Sequence, residues 1–114
     1  MKVSVLLMTY NHTRFIAYAL DSVLMQETSF PFEIIISEDC STDGTREIVK
    51  AYHNQYSEKL RLILSERNIA SNAIVVRGIE AARGQYVALL DGDDYWVSPH
   101  KLQQQVELLD QNPE

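Results

Sequence analysis

The sequence predicts an α/β fold: a doubly wound, mainly parallel sheet with helices on both faces. Two observations carry this expectation. Four apolar runs are separated by segments whose apolar residues recur at helical spacing, and polar clusters follow three of those runs directly. Strands divided by helices pair in parallel and are joined by right-handed crossovers.

Val3-Ser4-Val5-Leu6-Leu7-Met8 reads as a strand of the kind buried on both faces. Phe15, Ile16, Ala19, Leu20, Val23 and Leu24 then recur at helical spacing, with Thr13 the expected N-cap. Phe32-Glu33-Ile34-Ile35-Ile36 is a second, β-branched strand. Ser41 or Asp43 caps a second helix carrying Ile48, Val49, Tyr52 and Tyr56 on one face, the tyrosines expected in the core. Leu60-Arg61-Leu62-Ile63-Leu64 alternates somewhat, as an edge strand does. A third helix is expected over about 71–83, with Gly84 in the left-handed conformation that ends many helices. Tyr86-Val87-Ala88-Leu89-Leu90 is the fourth strand. Ser98-Pro99 opens the last helix, with Ser98 as cap, Pro99 at its first position and Leu102, Val106 and Leu109 facing inward.

Composition excludes several classes. Ten Lys and Arg against sixteen Asp and Glu leave a formal charge of −6. A nucleic-acid binder shows a basic face, and an anionic membrane surface attracts cations, so no nucleic-acid partner is expected. Hydrophobic residues at 46% with 23% charged are the proportions of a globular domain. Cys40 stands alone, so no internal disulfide forms and nothing points to an oxidising compartment. Val5-Leu6-Leu7-Met8 is too short for a signal-peptide core or a transmembrane segment. The expected location is cytoplasmic, at the inner face of the membrane if a longer parent carries an anchor. Without repeats or linkers, residues 1–114 read as one domain. Asn112-Pro113-Glu114 stand where an α/β pattern would begin another strand, and four strands make a thin sheet. An incomplete domain, part of a longer protein, is therefore expected.

In a parallel sheet all strand C-termini lie on one edge, and ligands bind in the crevice there. Thr9-Tyr10-Asn11-His12, Glu38-Asp39-Cys40-Ser41-Thr42-Asp43-Gly44 and Asp91-Gly92-Asp93-Asp94 all converge on it. So many carboxylates repel one another unless a cation or hydrogen-bond donors intervene. The hard oxygens of Asp91, Asp93 and Asp94 suit Mg²⁺ or Mn²⁺, above all where the metal also grips a diphosphate; the alternative is an Asx-rich turn with capping aspartates. Asp39, at a strand end, can accept from a base imide or a ribose hydroxyl, or can belong to a solvated turn. Tyr10 stacks on a base or simply packs. Trp96 is core or a lid over the crevice. His12, His53 and His100 show no metal-ligand spacing, and Cys40 reads as a buried, inert thiol. Glycine-rich dinucleotide or P-loop motifs are absent.

The run from Val3-Ser4-Val5 to Thr9-Tyr10-Asn11, then Ile34-Ile35-Ile36-Ser37-Glu38-Asp39 with Ser41-Thr42-Asp43-Gly44-Thr45, resembles the opening of family 2 glycosyltransferases. Gly78-Ile79-Glu80-Ala81-Ala82-Arg83-Gly84-Gln85-Tyr86-Val87 and Leu90-Asp91-Gly92-Asp93-Asp94-Tyr95-Trp96 extend the resemblance over nearly the whole chain. It implies the GT-A, Rossmann-like fold, a nucleotide-sugar donor, Mn²⁺ or Mg²⁺, and transfer with inversion. The resemblance also implies roles. Thr9 and Tyr10, with Asn11 beside them, would line the base pocket, and Asp39 would hydrogen-bond uracil or its equivalent. Asp93 would reach the ribose and stand near the metal, and Asp94 would hold the metal. Asp91 begins the Asp-x-Asp pattern. The general base would lie beyond Glu114, and the acceptor (carbohydrate, lipid or protein) is left open.

Three departures stand out. Glu38 replaces the usual Asp, Cys40 a usual Gly or Asn, and Val75-Val76 the usual Arg-Asn pair, leaving Arg77 or Arg67 to supply a cation. Two rival readings stand beside this one. A signalling receiver domain would need an acidic pair where Thr9-Tyr10 stand and a phospho-accepting Asp where Ser65-Glu66 stand. A non-catalytic nucleotide-sugar-binding or interaction module is the other. An uncovered fourth strand also predicts self-association.

Overall fold

The computed structural model describes residues 1–68 and 73–111. In chain order it runs β1 (Val3–Thr9), α1 (Ile16–Leu24), β2 (Phe32–Glu38), α2 (Thr45–Gln55), β3 (Leu60–Leu64), α3 (Ala73–Ala81), β4 (Tyr86–Asp91) and α4 (Lys101–Gln111). All strand pairs are parallel and the sheet order is β3-β2-β1-β4, so β3 is an edge strand as its alternation predicted.

The order itself locates the site. The chain steps from β1 out to β3, then crosses back to place β4 on the other side of β1. That reversal puts a topological switch point at the β1–β4 junction, where the loops diverge and leave a crevice.

Successive strand residues point to opposite faces. Val3, Val5 and Leu7 of β1 join Ile34 and Ile36 of β2 in one cluster with Ile16, Leu20 and Val23 of α1, Val49 of α2, and Leu102 and Val106 of α4. On the opposite face α3 lies against Leu6, so closely that a Cβ on Gly78 would stand 2.3 Å from Leu6 Cδ1. Helices thus cover both faces.

Several local expectations change. Thr13 does not cap α1. The first amides, of Phe15 and Ile16, donate to the carbonyl of His12, while the Thr13 hydroxyl donates to the Asp43 carbonyl. Phe15 is correspondingly exposed. For α2 the N-cap position is Gly44 at φ 100°, and of the two candidates it is Asp43 whose carboxylate accepts the Thr45 amide at 3.1 Å. Tyr52 is half-buried and packs against the core cluster, its hydroxyl donating to Asp21, whereas Tyr56 lies beyond the helix and exposed, so only Tyr52 of the pair reaches the core. The expected start of α3 at Ser71 lies outside the described residues; the helix ends at Ala81. Gly84 has no positive φ. It is glycine because a Cβ would stand 2.4 Å from the Ser4 amide nitrogen of β1. Ser98 does accept a hydrogen bond, from the His100 amide, but Pro99 and His100 form a turn ahead of a helix starting at Lys101. Leu109 is exposed while Leu102 and Val106 are buried.

Candidate donor-binding site

Three strand ends build the site, and the ladder continues into the loops. The Asp39 amide donates to the Thr9 carbonyl (3.0 Å), the Gly92 amide to the Met8 carbonyl (2.8 Å) and the Ser65 amide to the Glu38 carbonyl (3.0 Å). The loops after β1, β2 and β4 therefore leave the sheet side by side.

The loop after β1 is tied to the one after β2. Asn11, in the left-handed region at φ 54°, donates its amide to Ser41 Oγ and accepts the Thr42 amide on Oδ1. The His12 amide donates to Thr45 Oγ1, and the Thr13 amide to Asp43 Oδ2. Asp43 carries much of this seam. Burial would raise its pKa, but hydrogen bonds from the Thr45 hydroxyl and amide and from Thr13 outweigh that and hold it down to about 2. Cys40, also left-handed at φ 60°, is half-buried rather than buried, and its thiol donates to the Glu66 carbonyl.

Beneath this turn sits a buried ion pair. Glu38 is fully buried; its Oε1 accepts the Ser41 amide at 2.7 Å and its Oε2 accepts Arg46 Nε at 2.7 Å. Arg46 also donates to the Ser65 carbonyl, whose own hydroxyl accepts from Arg77. Glu38 thus reaches both the Ser41 amide and Arg46 and locks the turn that carries Asp39 to α2.

Of the residues singled out from sequence, Thr9 and Asp39 are buried at the strand ends, while Tyr10 is 40% exposed at the mouth. Asp91, Asp93 and Asp94 are exposed, and one carboxylate oxygen from each lies within 4.8 Å of the others. Three hard oxygens so close together fit a divalent cation of the Mg²⁺ or Mn²⁺ kind. Trp96 is core, 8% exposed, with the Lys101 ammonium over its ring. His53 is half-buried on α2, away from these loops. Arg77 and Arg67 are both exposed, Arg77 engaged with Ser65.

Sequence reasoning missed two groups. Arg46 and Ser65 carry no motif, and their role appears only once β2, β3 and α2 are in contact. His12 has no metal-ligand spacing in the sequence, yet Nδ1 stands 3.0 Å from Thr9 Oγ1 and Nε2 3.9 Å from Asp93 Oδ2. Its place in the loop directly after β1 was the available signal.

A four-stranded parallel sheet in this order, with helices on both faces, is the architecture of the N-terminal part of a GT-A fold. The chain belongs to glycosyl transferase family 2, whose description matches residues 4–114. It is 44% identical over 111 residues to an uncharacterised protein of Mycobacterium tuberculosis, covering 97% of this chain and 32% of that one. Its structure is similar to Staphylococcus aureus TarS 1–349 in complex with UDP-GlcNAc, with a TM-score of 0.85 at 32% identity over 99% of this chain and 32% of that one. It is also similar to the mannosyltransferase PcManGT of Pyrobaculum calidifontis in complex with GDP-Man and Mn²⁺, with a TM-score of 0.85 at 25% identity over 95% of this chain and 32% of that one. The chain thus spans about a third of the length of these proteins. Among the described residues no helix is long and apolar enough to cross a membrane.

Proposed function

We propose that residues 1–114 form the donor-binding domain of an inverting, metal-assisted glycosyltransferase that uses a nucleotide-sugar, with a UDP-sugar the preferred donor. The observation that carries this is the placement of buried Asp39 and the Asp91, Asp93 and Asp94 loop on either side of Thr9 at the switch point of the sheet. TarS with UDP-GlcNAc and PcManGT with GDP-Man and Mn²⁺ share this architecture and support the donor class and the ion.

In this proposal Asp39 accepts from the base imide, and Thr9, Tyr10 and Asn11 form the wall around it. Asp91 borders the pocket, Asp93 turns to the ribose and the cation, and Asp94 is the principal ligand. A divalent cation held there supplies positive charge against the diphosphate as the nucleoside diphosphate departs. None of residues 1–114 is assigned the base that deprotonates the acceptor hydroxyl, and the chain alone is expected to bind donor and turn it over slowly or not at all.

Calorimetric titration of UDP with and without Mn²⁺ tests the assignment. Asp94→Asn is expected to weaken Mn²⁺-dependent binding and leave metal-free binding unchanged. Asp39→Asn is expected to weaken both, because its partner is the base. Loss of a hydrogen bond to a charged group costs about 1.5–3 kcal/mol, roughly ten- to a hundred-fold in affinity. Equal affinities for wild type and both variants would refute the site. UDP-sugar binding with no turnover even by a longer parent chain would favour the non-catalytic module instead.

A further inference from the structure

We propose that Asp43 is a positioning residue for the donor site. It clamps the loop after β1, with Tyr10 and Asn11, against the turn that carries Asp39, so that both walls of the base pocket stand ready before a nucleotide enters. The proposal rests on the reading of Asp39, Tyr10 and Asn11 as those walls; Asp43 itself touches no part of the nucleotide.

The two walls leave the sheet on adjacent rungs, joined at the base where the Asp39 amide donates to the Thr9 carbonyl at 3.0 Å. Beyond that bond residues 10–12 and 40–42 run side by side. Asn11 donates its amide to Ser41 Oγ at 2.9 Å and accepts the Thr42 amide at 2.8 Å. Asp43 closes the far end. Its Oδ2 accepts the Thr13 amide at 3.1 Å, and its Oδ1 accepts the Thr45 amide at 3.1 Å and the Thr45 hydroxyl at 2.6 Å. Its carbonyl accepts the Thr13 hydroxyl at 2.6 Å. With the Thr45 proton donated to Asp43, the lone pairs of that hydroxyl are left for the His12 amide, which donates to it at 3.0 Å. One carboxylate thus fixes the amides of His12 and Thr13, directly or through Thr45.

The backbone between the two joints is under constraint. Asn11 at φ 54° and Cys40 at φ 60° are both non-glycine residues in the left-handed region. Such conformations persist only where the surroundings over-determine them, and they collect at binding sites. The clamp acts on both loops at once. Asp43 is exposed, so its hydrogen bonds compete with water and add little to global stability. A pocket assembled only part of the time, by contrast, loses affinity in proportion to the assembled fraction.

Calorimetric titration with UDP in the absence of metal, run beside amide hydrogen exchange, tests this on Asp43→Ala and Asp43→Asn. Asp43→Ala removes the side-chain acceptors of the clamp, whereas Asp43→Asn keeps the shape and one acceptor oxygen. If the walls of the alanine variant are assembled about a tenth of the time, its UDP affinity falls about tenfold. The asparagine variant is expected to lose less. In Asp43→Ala the His12 and Thr13 amides should lose protection and regain it with UDP, while the strand amides of Leu6 and Ile35 keep theirs. Mn²⁺ affinity should be unchanged, since Asp91, Asp93 and Asp94 stand on the loop after β4. UDP affinity equal to wild type in Asp43→Ala, with Asp39→Asn still weakened, overturns the positioning role and leaves the donor site standing. Weaker UDP binding accompanied by lost protection at Leu6 and Ile35 makes Asp43 a residue of general stability and overturns the role equally. A wild-type chain that binds no UDP overturns the donor site and this role with it.

Discussion

Replacing Arg46 by Met tests whether the turn that presents Asp39 is held by a buried ion pair. Glu38 has no solvent exposure and Arg46 has 24% of its side chain exposed, at a separation of 2.7 Å. Removing the guanidinium leaves the Ser41 amide as the hydrogen-bond donor to a carboxylate sealed from water. Breaking such a pair from one side costs about 3–5 kcal/mol, and the partial exposure of Arg46 places this case at about 3. Unfolding 114 residues carries an entropy of about 0.24 kcal/mol/K, so the midpoint should drop by about 12 °C. Trp96 is the single tryptophan and is buried, so its fluorescence reports urea and thermal unfolding. Glu38→Gln combined with Arg46→Met removes the stranded charge and should recover most of the loss. A cost below about 1 kcal/mol for Arg46→Met, or a double variant no better than the single, would refute the argument.

Other outcomes follow from the same geometry. Gly84→Ala drives a Cβ into the backbone of β1 and should destabilise by about 1–3 kcal/mol in thermal unfolding; a nearly neutral change would refute the close approach. Burial raises the pKa of both Glu33 and Asp43, but hydrogen bonds outweigh it: from Ser4, the Arg83 amide and Arg61 to Glu33, and from Thr45 and Thr13 to Asp43. Both folded-state pKa values are depressed, so the stability they add is complete above the ordinary carboxylate range near pH 4 and is lost as pH falls below it, for Asp43 toward about 2. Urea midpoints that hold from pH 8 to 5 and decline below about pH 4 are expected, with a shallower decline in Asp43→Asn; exposure of Asp43 keeps its share small. β4 is an open edge with Leu89 55% exposed, and Val76 and Ile79 of α3 are exposed too, so light scattering should show concentration-dependent self-association that Leu89→Lys reduces. A monomer at every concentration would count against it.

The sequence by itself determined the number, type and order of the elements. Each is set by a local period: β-branched runs for β1 and β2, and the spacing of Ile16, Leu20 and Val23 for α1. It also determined that Thr9, Asp39 and Asp91 share one edge, because parallel pairing alone brings strand C-termini together. What a side chain does depends on what another element brings to it, and that only the tertiary structure decided. Gly84 and Gly92 are glycines because β1 and the Thr9–His12 contact stand against them. Thr13 faces Asp43 rather than its own helix, and Glu38 meets Arg46 and lies beside Ser65 only after β2, β3 and α2 have packed. The aim of the His12 ring belongs to the same class. Local periodicity contains no term for contacts between residues as far apart as His12 and Asp93, so the chain's elements were legible and the wiring between its loops was not.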